Sequence, residues 1–406
     1  MKKIICTFLS KKVFALFLAL YFVIPSALAD SRVPIRLGDN IAVSDYWRDK
    51  DILTKECYFA PFASEQDILA QLQGNDAPDL FGLITSNEDF EVFKSSVTLA
   101  DLSGSAIIRD AVSRMRPETQ RLLTTEDGKI LGLPNAHMLR PLYWDQEAWD
   151  VAGLTTEAVP QSFTQLLDFL DVWIERTEAS SKKNVCVIAF PDNSAIDESD
   201  RDAAWLVSLL LTTWETQKRY TGDDITFNTS EFIALANRAR EVGQKLYQSE
   251  PPLKKRPKLL QLFCDETIEP GDYAFGGRDY GLSHTIPLRI TADQPALLRA
   301  DAVIQCIHAN SKWLDTAKAF IEDEMNAVHW TLRYSMDMDF LPGKYDGGSV
   351  SAGWMADLVA YDGTIVYLVN GYDAQKEQYE SLFVKGEITA QQLAEGLDKP
   401  LVQREN

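Results

Sequence analysis

The chain has 406 residues, of which 46% are hydrophobic and 25% charged, and 60 Asp and Glu against 40 Lys and Arg give a formal net charge of −20. That hydrophobic share supports packed cores, and no long stretch is polar enough for disorder. The acidic excess argues against nucleic acid and anionic lipid as partners. The length points to two lobes rather than one.

In chain order, the first feature is a basic start, Lys2, Lys3, Lys11 and Lys12, ahead of the apolar run Val13 to Ile24. The run is too short to span a bilayer. Pro25 breaks it, and Ala27-Leu28-Ala29 has the small-x-small form of a cleavage site. A secretory signal peptide over residues 1–29 is expected, with an uncleaved anchor as the alternative. No Cys stands directly after the run, so lipid anchoring is not expected. Cleavage removes four lysines and no acid, which takes the net charge to about −24 and leaves about 377 residues.

Val33–Leu37 reads as a strand ending in Gly38-Asp39-Asn40, and Ser64–Gln73 as a helix capped by Ser64. Ala77-Pro78-Asp79-Leu80-Phe81-Gly82 reads as a strand entered through Pro, and Leu99–Ser103 as a turn. Arg114–Thr124 is expected to be helical, followed by a turn at Asp127-Gly128 and the stretch Gly128–Pro134. Tyr143–Gly153 combines a strand with an acidic-aromatic helix. Ser162–Arg176 places Phe163, Leu166, Leu167, Leu170, Trp173 and Ile174 on one helical face.

Val185–Phe190 reads as a buried strand. Ala203–Trp214 is an almost wholly apolar core helix. Phe227–Glu231 forms a turn and cap into a helix over Glu231–Gln248, and Pro251–Lys258 is a basic, Pro-rich loop. Ala302–Ile321 pairs a strand with a helix, and Leu382–Leu397 closes the chain with another. Strands interleaved with helices define an α/β architecture.

Four cysteines lie beyond the signal segment: Cys57, Cys186, Cys264 and Cys306. An oxidising compartment permits disulfides, and three pairings are open. Cys186 and Cys306 sit in apolar runs, where a small buried residue is the plainer reading. No CxxC, HExxH, P-loop, GxSxG or GxGxxG occurs, and His137, His284, His308 and His329 lack metal spacing. No cofactor or metal is expected, and no catalytic residue.

The order GKILGLP (Gly128–Pro134), YWDQEAWDVAG (Tyr143–Gly153) and PQSFTQLL (Pro160–Leu167) resembles the signature of family 1 extracellular solute-binding proteins of ABC importers. The PDLF of Pro78–Phe81, the turn at Leu99–Ser103, Ser311-Lys312…Phe320 and the GEIT start of the last helix resemble further family positions. The resemblance spans residues 33 to 397. It implies a type II two-lobe fold with a hinged ligand cleft. Lobe 1 would hold residues 30–138 and 286–325; lobe 2 would hold 139–285 and 326–406.

The resemblance also implies a function. A carbohydrate or related polar solute would be captured in the cleft and passed to ABC permease subunits, by a monomeric periplasmic receptor. A receptor that feeds a sensor kinase is an alternative. A secreted, thiaminase-like enzyme using Cys186 or Cys264 is another. Sugar recognition takes aromatic faces and amide or carboxylate groups. On the segments that carry ligand groups in the family, the candidates are Asp39, Asn40, Trp47, Phe81, Asn135, His137 and Trp205. Capping and core packing are the competing roles for each. The chain departs from the family pattern at Gly276–Tyr280, where Tyr280 is a candidate platform and Arg278 a candidate partner for a carboxylate or phosphate. It departs again at Arg299-Ala300-Asp301, where the family often has glycines.

Overall fold

The computed structural model describes residues 35–38, 57–60, 72–74, 77–85, 90, 94, 98–139, 142–179, 185–189, 198–249, 260–265, 285–326, 364–367 and 374–399. The signal segment, the loop 251–258 and most of the helix expected at 64–73 lie outside the described residues.

The strands in chain order are β1 (Ile35–Gly38), β2 (Cys57–Ala60), β3 (Leu80–Ile84), β4 (Leu133–Leu139), β5 (Leu142–Trp144), β6 (Val185–Ala189), β7 (Leu260–Asp265), β8 (Thr285–Ile286), β9 (Leu297–Ile307) and β10 (Thr364–Tyr367). The helices are α1 (Ala106–Arg114), α2 (Pro117–Leu123), α3 (Gln146–Val151), α4 (Phe163–Ala179), α5 (Arg201–Thr221), α6 (Ser230–Ser249), α7 (Leu314–Asn326), α8 (Ala374–Val384) and α9 (Ala390–Leu397).

The first sheet runs β10-β9-β3-β1-β2, with β4 also on β9. Strand β9 organises it. Successive side chains of a strand face opposite ways. Leu298, Ala300, Ala302, Ile304 and Cys306 therefore share one face, while Arg299, Asp301, Val303 and Gln305 share the other. Antiparallel register sets Phe81 against Cys306 and Leu83 against Ile304, so β3 extends the apolar face. Gly132 is required just before β4, because a Cβ there would sit 2.6 Å from the Gln305 carbonyl and 3.0 Å from Cys306 Sγ.

The sequence motifs are tied to one another by hydrogen bonds. Asp79 of the PDLF segment is buried and accepts from Ser311 Oγ at 2.7 Å, and Ser311 Oγ in turn accepts from Trp313 N. His308 N donates to the Asp79 carbonyl, and the His308 ring bonds the Leu72 carbonyl at 2.9 Å. Asp101 of the Leu99–Ser103 turn accepts from Ser103 N and Ile130 N, while Leu102 N donates to the Ile130 carbonyl. These residues hold loops against the sheet; that is a scaffold role.

The second sheet runs β6-β7-β5-β8. Its core draws on α3, α4, α5 and α6, with Trp149, Leu167, Leu170, Leu206, Leu210 and Phe232 at 0–1% exposure. Phe169 stacks on Trp149 at 5.2 Å and on Trp173 at 6.2 Å. Each large apolar side chain so buried contributes about 1.5–3 kcal/mol. Helices α5 and α6 cross closely at Gly243, where a Cβ would lie 2.4 Å from Ala203 Cα.

Some boundaries differ from the sequence reading. The helix expected over Arg114–Thr124 is α2, which starts only at Pro117, and a separate helix, α1, precedes it and ends at Arg114. Met115 and Arg116 adopt extended backbone because Pro117 starts a new helix at its first position. The closing segment is likewise two helices. Gly386 (φ 77°) ends α8, and Thr389 caps α9 in a capping box with Gln392. Both pack on the second core through Phe383, Val384, Ala390, Leu393 and Leu397. Thr364–Tyr367, expected with the second lobe, runs parallel to β9 on the first sheet.

Cys306 is a free thiol, 1% exposed, and burial pushes its pKa up to about 12. Cys186 aligns with Gln261 and Cys264 with Ala189, three positions apart, or roughly 10 Å along the strands. That separation exceeds a disulfide span.

Candidate functional site

The chain passes between the sheets twice among the described residues, from β4 to β5 and from β8 to β9. The second crossing is clamped by groups from the second core. Gln217 Nε2, buried on α5, donates to the carbonyls of Leu288 (2.9 Å) and Pro295 (3.2 Å). Phe163 N and Thr164 N, at the start of α4, donate to the carbonyls of Arg289 and Ile290. Orphan donors of a helix N-terminus thus find partners in the crossing segment. Arg289 returns the contact with Nε on the Gln161 carbonyl and Nη1 on the Gln294 carbonyl. This accounts for the PQSF start of α4: its backbone docks on the segment that leads back to the first sheet.

Helix α5 carries the seam. Its first half is core; its second half turns polar. Thr212 Oγ1 accepts from Arg299 Nη1 at 3.1 Å, joining α5 to β9. Glu215, 6% exposed, bonds Arg219 at 3.0 Å and Lys376 of α8 at 3.4 Å. Gly222 (φ 72°) ends the helix in a left-handed cap, with Lys218 and Arg219 in the last turn facing the negative end of the dipole.

Beside that end lies a cavity of about 520 Å³ between α2, β10 and α5. Lys94, Glu118, Arg121, Arg219 and Tyr220 line it, with Thr364–Tyr367 along one wall. Glu118 Oε1 accepts from Ile365 N at 3.4 Å, closing one donor of β10. Tyr367 is buried, with its hydroxyl 2.9 Å from Thr119 Oγ1. Burial raises its phenol well above the ordinary range; the Glu118 charge adds to this, and the Thr119 bond and Arg116 oppose it. The Tyr367 hydroxyl therefore stays protonated. Tyr220 is 43% exposed. The cavity combines three cations, one carboxylate and an open aromatic ring.

Of the residues singled out from sequence, Asp39, Asn40, Trp47, Arg278 and Tyr280 lie outside the described residues. Phe81 is fully buried in β3, in register with Cys306 on the apolar face of the first sheet. Asn135 falls at the irregular register step of β4, and His137 stands opposite Ala302. Trp205 is on the first turns of α5, 6% exposed, within the second core. Its indole N–H has no hydrogen-bond partner among the described residues. Cys186 and Cys264 lie in β6 and β7. No cluster of potential metal ligands occurs among the described residues. Sequence reasoning missed the cavity residues, because Lys94, Arg121 and Tyr220 sit on three separate segments with no motif between them.

Two open sheets joined by crossing strands, with helices packed about them, make the two-lobe α/β fold of substrate-binding proteins of ABC transporters. Comparison with solved structures gives this fold across the chain. The cyclic α-maltosyl-1,6-maltose binding protein from Arthrobacter globiformis matches with a TM-score of 0.58 and 13% identity, over 90% of this chain and 97% of that one. The ABC substrate-binding protein Lmo0181 from Listeria monocytogenes, in complex with cycloalternan, matches with a TM-score of 0.56 and 12% identity, over 90% and 97%. A sugar transporter protein from Bacillus licheniformis, in complex with stachyose, matches with a TM-score of 0.56 and 14% identity, over 90% and 98%. No protein-family model and no curated protein sequence matches the chain. No helix among the described residues is long and apolar enough to cross a membrane.

Proposed function

We propose that the protein is an extracytoplasmic solute receptor that captures a carbohydrate or related polar solute between its lobes and delivers it to the permease subunits of an ABC importer. The observation that carries this reading is the fold match over some nine-tenths of the chain to proteins whose names state a bound saccharide. The signal segment 1–29 fits export, and a free periplasmic monomer is the form we assign. Lobe 1 would comprise residues 30–138 and 286–325, and lobe 2 residues 139–285 and 326–406, with Thr364–Tyr367 an incursion of the chain onto the first sheet.

The receptor binds without making or breaking covalent bonds. Closure about the hinge exchanges the hydration of both cleft faces for contacts with solute, and the solute shifts the equilibrium only by its preference for the closed form. The cleft groups we assign are Asp39, Asn40 and Trp47, with Asn135 and His137 about the first sheet and Trp205, Arg278 and Tyr280 from the second lobe. Trp205 has direct support, since a buried indole N–H without a partner is a cost that a solute oxygen would remove. Phe81, fully buried in β3 and in register with Cys306, packs within the first sheet and is not assigned as a contact group.

The test is a thermal-shift and tryptophan-fluorescence screen of folded, ligand-free protein with neutral oligosaccharides, monosaccharides, polyols and amino acids. A saturable rise in Tm with one saccharide class, by mass action, is expected. Absence of any shift across the panel would overturn the receptor reading.

A further inference from the structure

We infer that Arg299 and Thr212 form a latch across the hinge, a positioning pair that sets the balance between two lobe arrangements without touching solute. The inference rests on the receptor reading, because a latch needs lobes that move. Strand register locates the hinge. Along the two crossings, the first sheet ends at the pair Leu139 and Ala300, and the second begins at the pair Leu142 and Ile286. One crossing therefore spans residues 140–141 and the other residues 287–299. Along the longer one the chain changes hands. The carbonyls of Leu288 and Pro295 accept from Gln217 of α5, on the second core. The next carbonyl, that of Ala296, accepts from Thr364 N of β10 at 3.3 Å, and β10 then pairs with Leu297–Ala300. Strand β10 is in turn tied to α2, through Glu118 and Thr119, on the side of the first sheet. Neighbouring carbonyls are thus held from opposite sides, and the pivot of this crossing falls between them.

Arg299 stands just past that pivot, on the first-sheet side, and reaches back over it: its Nη1 donates to Thr212 Oγ1 of α5 at 3.1 Å. Burial separates this bond from the other polar contacts of the seam. Gln217 is 7% exposed, and breaking its two bonds would leave buried polar atoms unsatisfied, so that clamp moves with the second core. Glu215 is also buried, and its partners Arg219 and Lys376 both lie on helices packed on the second core. Arg299 and Thr212 are each only partly buried, so water can take up either partner when they separate. Thr212 also differs from the other threonines of its helix. Thr213, Thr216 and Thr221 donate their hydroxyls to carbonyls of α5 itself, those of Leu209, Thr212 and Gln217. The Thr212 hydroxyl accepts from across the pivot. A charged donor on a neutral acceptor that water can replace favours one arrangement by a modest margin, which is what a reversible latch requires.

The experiment measures the distance between the lobes in the solute-free full chain by pulsed electron paramagnetic resonance. Spin labels are attached through ketone side chains introduced at Ser113 of α1 and Glu175 of α4, both exposed. Thr212→Val removes the acceptor and keeps the shape of the side chain. It should raise the ratio of the minor to the major distance population about fivefold. Thr212→Ala should behave alike, and Thr212→Ser, which restores the hydroxyl, should return the wild-type distribution. In an Arg299→Gln background, Thr212→Val should add no further change, because the two residues act through one bond. A distribution unmoved by Thr212→Val, whatever the loss of stability in urea, would overturn the latch and leave the bond a static contact. A further shift in the Arg299→Gln background would overturn it too. Since the measurement is made without solute, a solute screen that finds nothing overturns the receptor reading alone, and an unmoved distribution overturns the latch alone.

Discussion

The second core and the seam beside it are built on the same helix yet by different means. Over Ala203–Leu210, α5 is held by close apolar packing, with Ala203, Leu206, Val207 and Leu210 fully buried. Over Thr212–Tyr220 it is held by directional polar contacts: Thr212 to Arg299, Gln217 to two carbonyls of the crossing, and Glu215 to two cations. Dense packing tolerates little displacement. Hydrogen bonds across a seam can be exchanged for others at modest net cost. The difference teaches where this molecule is stiff and where its halves can shift relative to one another, which a hinged receptor requires.

The largest effect should come from the stiff side. Gly243→Val puts a branched side chain where a Cβ alone would lie 2.4 Å from Ala203 Cα and 2.5 Å from Ala203 N. Both are backbone atoms of α5 and cannot rotate away, so the helices must separate. Loss of about 3 kcal/mol is expected by urea denaturation. A loss under 0.5 kcal/mol would show that the crossing is looser than the packing implies, and the contrast would collapse.

The seam should give less. Glu215→Ala leaves Arg219 and Lys376 without their shared carboxylate. Both side chains are about a quarter exposed, at 25% and 23%, so water takes up part of the charge. Destabilisation of about 2 kcal/mol is expected, below that of a fully buried pair. Glu215→Gln, which keeps an acceptor, should lose less. Equal losses in the two variants would show that the side chain acts through packing, not through charge.

The sequence revealed the stiff parts and concealed the seam, for physical reasons. Phe163, Leu166, Leu167, Leu170, Trp173 and Ile174 advertise a buried face by their spacing, and all are buried. The run Ala203–Trp214 likewise marks a core helix. Its continuation to Thr221 was not legible, because Glu215, Thr216 and Gln217 look like solvent-facing residues. Glu215 and Gln217 are buried because partners that satisfy them come from Lys376 and from the crossing at Leu288 and Pro295, while Thr216 donates to the Thr212 carbonyl of its own helix. The family-like motifs proved equally one-sided. Asp79, Ser311, Asp101 and Gly132 fasten loops to the first sheet, so they declare the scaffold and are silent on the solute. Of the proposed cleft groups, Trp205 offered one readable clue, an indole in an apolar run, and only its unpartnered N–H separates it from the surrounding core.

The two C-terminal helices test whether the core extends beyond its own sheet. Asp398, just past α9, accepts from Phe227 N at 2.6 Å, Asn228 N at 2.8 Å and Thr226 Oγ1 at 3.0 Å. It thereby fixes the turn that leads into α6, where Thr229 Oγ1 accepts from Phe232 N. Asp398→Ala should lower stability by about 1–2 kcal/mol, as loss of a helix cap does. A neutral result would mean that the C-terminal pair rests on the core without contributing to it.

Glu380 on α8 gives the smallest predicted change, and pH sets its sign. Burial pushes its carboxyl up to about 8, and the neighbouring Glu377 adds to the shift. A raised carboxyl pKa means that the folded state keeps a proton which the unfolded chain releases above about 4.5. Stability should therefore fall as pH rises from about 4.5 to about 8 and level off beyond. Glu380→Gln removes that dependence. The variant should match wild type near pH 4 and exceed it at pH 8 by about 1 kcal/mol, since water reaches part of the side chain and reduces the full shift. Thermal unfolding of both proteins across this range reads the difference. A variant less stable than wild type at pH 8 would mean that the carboxylate has a cationic partner on the second core, which would place α8 with the polar seam and not with the apolar packing of Phe383 and Val384.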